Sequence, residues 1–225
     1  MDFWPWDLLT PRSERWRLRG VTINGGINVA GSSPTARTDG GGLWVGEQNI
    51  LVQGRDAIKA IRAIEACLDA GIGKMVVWSH TKPFAPGNLT TAQVTHSDGA
   101  PFGDGSLYAS APHGATVAVA AGLRASFLTI AMISGVIQGG EDFSITHLTM
   151  GTRKYRIARV DGDKVEFRPP LREAVPVGAE INFLRVGCVC KLANPDEFLD
   201  ALDAQRGAGL LEATASWVED FTRAA

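Results

Sequence analysis

Histidine and cysteine are scarce in this chain, with four and three among 225 residues. The histidines (His80, His96, His113, His147) are scattered, and none stands in an HExxH or HxH spacing. A zinc site built from them would need unrelated loops to converge. The cysteines (Cys67, Cys188, Cys190) are an odd number and make no disulfide framework. Cys188 and Cys190 are one residue apart, so in a strand both thiols point to one face. A disulfide between such neighbours is geometrically awkward, and free, packed thiols are expected. A share in a metal site would need ligands from elsewhere in the chain or a partner. Charge of one sign is also missing. Twenty-two Lys and Arg against 24 Asp and Glu leave a formal net charge of −2. That balance offers no global field to nucleic acid or an anionic membrane.

Long uninterrupted apolar runs are absent too. The most apolar stretch, Thr116 to Ile137, is broken by Gly122, Arg124 and Ser126. A membrane helix there would hold an arginine at depth, at a cost of roughly 2.5–3.5 kcal/mol. Val117, Val119, Leu123, Phe127 and Ile133 fall on one period-2 face, which predicts buried strands. The start, MDFWPWDLL, shows neither a basic region nor a continuous apolar core, so no secretory leader is expected.

What the chain has is glycine: 26 residues, mostly in turns and loops. That favours many short strands, and the length suits one large all-β domain or two small ones. Trp4 and Trp6 flank Pro5, an extended hook that docks on its own domain or on a neighbour. Arg12, Arg15, Arg17 and Arg19 make the only dense basic run, and alternation sets the last three opposite Trp16 and Leu18. Such a row either pairs with an acidic face of a neighbouring subunit or is simply a solvated edge. Leu18 to Ile23 reads as a strand, Asn24-Gly25-Gly26 as a turn, and Ala30 to Gly42 as a surface loop. Leu43 to Val45 and Asn49 to Gln53 read as strand again.

One segment is helical. Residues 55–70 place Ile58, Ile61, Ile64 and Cys67 or Leu68 on one stripe, with Lys59, Arg62, Glu65 and Asp69 opposite. Gly71 suits the left-handed position that ends such a helix, and Lys74 to Trp78 is a strand. Residues 80–114 are rich in Gly, Pro, Asp and Ser without period, a long excursion of the kind used for contacts with partners. Tyr155–Val160 and Lys164–Phe167 form a hairpin about Asp161-Gly162-Asp163, ended by Pro169-Pro170. Glu180 to Leu192 is a further β run, Asn194 onward turns helical or loop-like, and Trp217 and Phe221 anchor the end.

Catalytic constellations are weak. His96-Ser97-Asp98 lacks the convergence of nucleophile, base and orienter, and no GxSxG elbow occurs. Gly25-Gly26, Gly40-Gly41-Gly42 and Gly139-Gly140 do not continue into a phosphate loop. Glu141-Asp142 sits in a turn, where neighbours do not face each other across a sugar.

Two stretches carry a family likeness. Val136-Ile137-Gln138-Gly139-Gly140-Glu141-Asp142-Phe143-Ser144-Ile145, with Lys154-Tyr155-Arg156-Ile157 shortly after, is the first. The second is YRIARVDGDKVEFRPPLREAVPVGAEINF, Tyr155 to Phe183. Together they resemble the C-terminal region of tail-tip proteins of siphophages and gene transfer agents. Upstream, strands, one amphipathic helix and a strand ending at Trp78 are similar in order to a distal tail protein. The resemblance implies a tail-tube-like β-sandwich or barrel with one packed α-helix, with room for a second small β-module. Residues 1–80 and 115–225 would form that ring-forming core, and 80–114 an insertion for contacts between subunits.

It also implies a role: a ring, usually of six copies, joining the tail tube to the baseplate hub and letting DNA pass at genome ejection. The partners are then sister copies, the tail tube protein, the hub and the tape measure protein. No cofactor, metal, catalytic residue or membrane partner belongs to that role. The protein would be assembled in the host cytoplasm and reside in the virion tail tip. Cys188-Val189-Cys190 does not match the four-cysteine iron–sulfur sites of some tail-tip hubs. Candidate interface residues are Trp4, Trp6, Arg15, Arg17, Arg19, Trp217 and Phe221. The rival readings are a carbohydrate- or receptor-binding tail-tip module using Trp44, Trp78 or Trp217, and a cell-wall hydrolase.

Overall fold

The computed structural model describes residues 2–68 apart from 6, 21, 28, 34 and 38–40; residues 72–79; residues 86, 93–94, 100, 103 and 108–109; residues 115–204 apart from 133–134; and residues 210–222. In chain order the elements begin with β1 (Asp2–Phe3), β2 (Pro11–Arg19), β3 (Thr22–Asn24), β4 (Thr35–Arg37) and β5 (Leu43–Gln53). Then come α1 (Gly54–Leu68), β6 (Met75–Ser79), β7 (Gln93–Val94), β8 (Tyr108–Ala109) and β9 (Ala115–Val117). Next are β10 (Phe127–Met132), β11 (Asp142–His147), β12 (Gly151–Asp161), β13 (Lys164–Arg168) and β14 (Glu180–Ile181). The chain closes with β15 (Val186–Leu192), α2 (Pro195–Ala204) and β16 (Leu210–Glu219).

The fold is mainly β, with two six-stranded sheets that curl into a half-barrel and a near-barrel. The chain divides into two compact units. One comprises residues 1–80, 148–153 and 187–225; the other comprises 81–147 and 154–186.

The first unit is built on the sheet β1-β6-β15-β16-β5-β2. Helix α1 lies against it through Ala57, Ile61, Ile64 and Leu68. The buried stripe is therefore shifted from the predicted one: Ile58 and Cys67 sit at its exposed margins. Gly71 lies outside the described residues. Gly73 closes the helix, its amide bonding the Leu68 carbonyl at 2.8 Å, and a Cβ there would overlap the Cys67 carbonyl. Helix α2, beginning at Pro195 as the sequence suggests, adds Phe198 and Leu202 to the same core. Trp4 meets Trp217 edge-on at 5.1 Å and Phe198 at 6.5 Å, a cluster that fixes the N-terminal hook.

The second unit carries the sheet β11-β12-β13-β10-β9-β14 around Phe143, Tyr155, Phe167 and Phe183. Their ring centroids lie 5.4–5.8 Å apart in offset and edge-on pairs. The predicted hairpin is present: β12 pairs antiparallel with β13 from Asp161 opposite Lys164, and Gly162 turns with φ 57°.

Three expectations are corrected. The apolar stretch after Ala115 is not one continuous alternation. The chain turns between β9 and β10, with Arg124 at φ 65°, and this reverses the phase. Leu128 and Ile130 point inward, while Val119, Leu123 and Phe127 are exposed. The run Glu180 to Leu192 is two strands in different sheets, because Asn182 caps the amides of Leu184 and Arg185 and bends the chain. The loop from Ala30 to Gly42 contains β4, which pairs with β3 from Thr22 opposite Arg37. No described helix is long and apolar enough to cross a membrane.

Candidate assembly edge

Strand β2 alternates because its residues do. Glu14, Trp16 and Leu18 are half-buried, and Arg15, Arg17 and Arg19 are exposed on the other face. Trp16 and Leu18 pack on the core of the first unit. Trp16 pairs with Gly46 of β5, and a Cβ on that glycine would come within 2.7–2.8 Å of the indole. The glycine thus gives the ring its seat. Across the pair, Arg15 stands opposite Glu47, Arg17 opposite Val45 and Arg19 opposite Leu43.

On its far side β2 pairs with no described strand. An antiparallel pairing occupies only alternate backbone groups, so a nine-residue edge leaves a row of donors and acceptors facing outward. The arginine row runs along that edge.

Beneath the edge lies Gln48, fully buried. Its Oε1 accepts the Trp217 indole N–H at 3.1 Å, and its Nε2 donates to the Trp78 carbonyl at 2.8 Å. The same Nε2 and the Trp16 indole both reach the Glu14 carboxylate, at 3.3 and 3.2 Å. One amide therefore ties β2, β5, β6 and β16 together.

The remaining predicted interface residues are placed differently. Trp4 and Trp217 are core side chains, 2% and 0% exposed, so the hook docks on its own unit. Trp6 lies outside the described residues. Phe221 is 41% exposed and covers Arg153, whose guanidinium carbon is 6.0 Å from the ring centroid.

Sequence reasoning missed that arginine. Arg153 is fully buried, with Nη1 3.6 Å from Glu219 and bonded to the Asp220 carbonyl. Its Nε and Nη2 find no hydrogen-bond partner among the described residues. Glu219 also accepts the Trp44 amide at 3.0 Å. Asp220 anchors the terminal segment through Lys191 at 2.7 Å and through the Thr222 amide and hydroxyl at 2.6 and 2.7 Å. Burial works to raise the Asp220 carboxyl, but the hydrogen bonds from Lys191 and Thr222 and the Lys191 charge hold it at about 2.

Cys188 and Cys190 are buried free thiols on one face of β15. Burial pushes the Cys190 thiol well up, and the hydrogen bond and charge of Cys188 and the Glu219 charge add to that. Without a metal beside it, such a thiol holds its proton. Among the described residues no group of three or more His, Cys, Asp or Glu is arranged around a metal position.

Glu141 and Asp142 hold the second unit together. Glu141 accepts the amides of Gln138 and Gly139 at 2.7 and 2.6 Å, closing its own turn. Asp142 pairs with buried Lys154 at 3.0 Å and takes a two-pronged contact from Arg156 at 2.5 and 2.9 Å. His147 bonds the Tyr155 hydroxyl at 2.7 Å, and His80, His96 and His113 lie outside the described residues. Of the tryptophans named for a sugar groove, Trp44 and Trp217 are buried. Trp78 is stacked under Phe3 at 5.9 Å and lies on Gly187. Grooves of about 270 and 320 Å³ flank α1, lined mostly by aliphatic side chains such as Ile58, Leu199, Ile64 and Met75. None of these buried polar clusters opens into them. Compared with known proteins, the chain matches no protein-family model and no curated protein.

Proposed function

We propose that this chain is a structural subunit of a phage-type tail tip, a distal tail protein that closes into a ring of copies, most simply six. The ring joins the tail tube to the baseplate hub, with the tape measure protein and DNA passing through its lumen. Sister copies, tube and hub are its partners, and the reading requires no cofactor, metal or reaction. Its place is the virion tail tip, after assembly in the host cytoplasm.

The observation that carries this reading is the open β2 edge with its arginine row, underpinned by the Gln48 network. A long edge strand offers its unpaired backbone groups to another chain, and the exposed Arg15, Arg17 and Arg19 restrict that partner to an acidic surface. The family likeness adds to it: residues 136–183 supply four strands, β11 through β14, of the second six-stranded sheet. Buried ion pairs and turn-closing acids use the charges that a catalytic reading would need.

The test is the native mass of the purified protein, alone and mixed with a tail-tube protein. A particle of several copies, alone or on the tube, is expected. A chain that stays monomeric in both, or that binds glycan or degrades peptidoglycan, contradicts the reading.

A further inference from the structure

We infer that the exposed face of α2 is the surface on which the arginine row of a second copy's β2 docks. The inference rests on the ring reading above and names the partner of the same edge.

Asp196, Glu197 and Asp200 are exposed on α2, while Phe198 and Leu202 face the core. The helix, PDEFLDALDA, contains no cation at all. Neighbouring α1 exposes Arg55, Asp56, Lys59, Arg62 and Glu65, a mixed face of the kind that water satisfies. Among the described residues of the first unit, the exposed side of α2 is acidic and the outer face of β2 is basic, through Arg15, Arg17 and Arg19.

These surfaces lie on opposite sides of the sheet. Trp16 and Leu18 point toward the core that holds Phe198 and Leu202, so the arginines point away from it. One copy cannot bring its own two surfaces together. A contact between them must join different patches on two copies, the head-to-tail type that closes rings.

Spacing fits as well. Alternate strand residues stand about 6.8 Å apart, and Asp196 and Asp200 about 6 Å along the helix. Next to the charges, Leu43 and Val45 on one side and Leu199 and Ala201 on the other are half-buried. They supply an apolar centre for a charged rim. Exposed pairs of this kind weaken as salt shortens the screening length to about 8 Å at 0.15 M.

The test uses the full chain and sedimentation velocity at low salt. One variant carries Arg15→Glu, Arg17→Glu and Arg19→Glu; the other carries Asp196→Lys, Glu197→Lys and Asp200→Lys. Each alone should associate on the order of a hundredfold more weakly than the parent, because like charges then face each other. An equimolar mixture should recover association, since each variant's reversed surface meets its complement on the other. Recovery also shows that both variants are folded. Association unchanged in either variant, or no recovery on mixing, overturns the contact while leaving ring formation to stand on the native mass. A parent chain that is monomeric at low salt overturns the contact too, and the ring reading then rests on the mass measured with the tube protein.

Discussion

Gln48 is the residue on which most of the first unit converges. Replacing it with leucine keeps the volume but strands the Trp217 N–H and the Trp78 carbonyl in an apolar interior. Two buried groups left unpaired cost roughly 2–4 kcal/mol, which urea denaturation of Gln48→Leu should show; a loss near zero would contradict the clamp. Asp220 gives a pH signature. Its carboxyl lies near 2 in the folded chain against an ordinary 3.8. A depressed acid stabilises above its unfolded value and loses that contribution as pH falls through its folded one. The stability gap between the parent and Asp220→Asn should therefore hold above about pH 4 and vanish toward pH 2. A gap that is constant across this range would contradict the Lys191 anchor. The arginine alternation was legible in the sequence because exposed side chains on an edge strand follow the period alone. Gln48 shares the inward phase of Trp44, Gly46, Ile50 and Val52, a signal present but overridden by its polarity. Arg153 was not legible, because its partner Glu219 stands 66 positions away and only the closed sheet brings them together.

At the scale of elements, packing decides what periodicity leaves open. Helix α1 was recognisable from its apolar spacing, but which margin of the stripe faces the sheet depends on the sheet. The stretch after Ala115 was recognisably β, yet the turn between β9 and β10 sets Val117 opposite Ile130 and so reverses the inward phase. Asn182 likewise divides β14 from β15 by capping two amides, a local act with no periodic trace. The Trp16–Gly46 seat yields a prediction for an element. A methyl group in Gly46→Ala meets the indole at 2.7–2.8 Å and must displace it. Overpacking of that kind costs about 1–3 kcal/mol. Hydrogen exchange should accelerate along β2 more than along β16; equal exchange in parent and variant would show that the ring yields without loosening the edge.

For the whole molecule, two six-stranded sheets with separate cores account for the composition: many glycines, alternating apolar residues and little helix. The chain passes between the two units four times, once within β12 between Arg153 and Lys154. A reading by contiguous segments has no signal for that boundary, because it falls inside one strand, where Thr152, Arg153, Lys154 and Tyr155 are buried in succession. Most of residues 80–114, expected to reach over neighbouring subunits, lies outside the described residues. The central claim is that the arginine-bearing β2 strand left open in one copy is covered by the next. Single-particle electron microscopy of the purified chain, at low salt and with a tail-tube protein, tests it most directly. The account predicts closed, rotationally symmetric particles with a central opening, in which each copy's β2 lies against its neighbour. Isolated single copies under both conditions, or symmetric particles whose β2 edges face solvent, would contradict it.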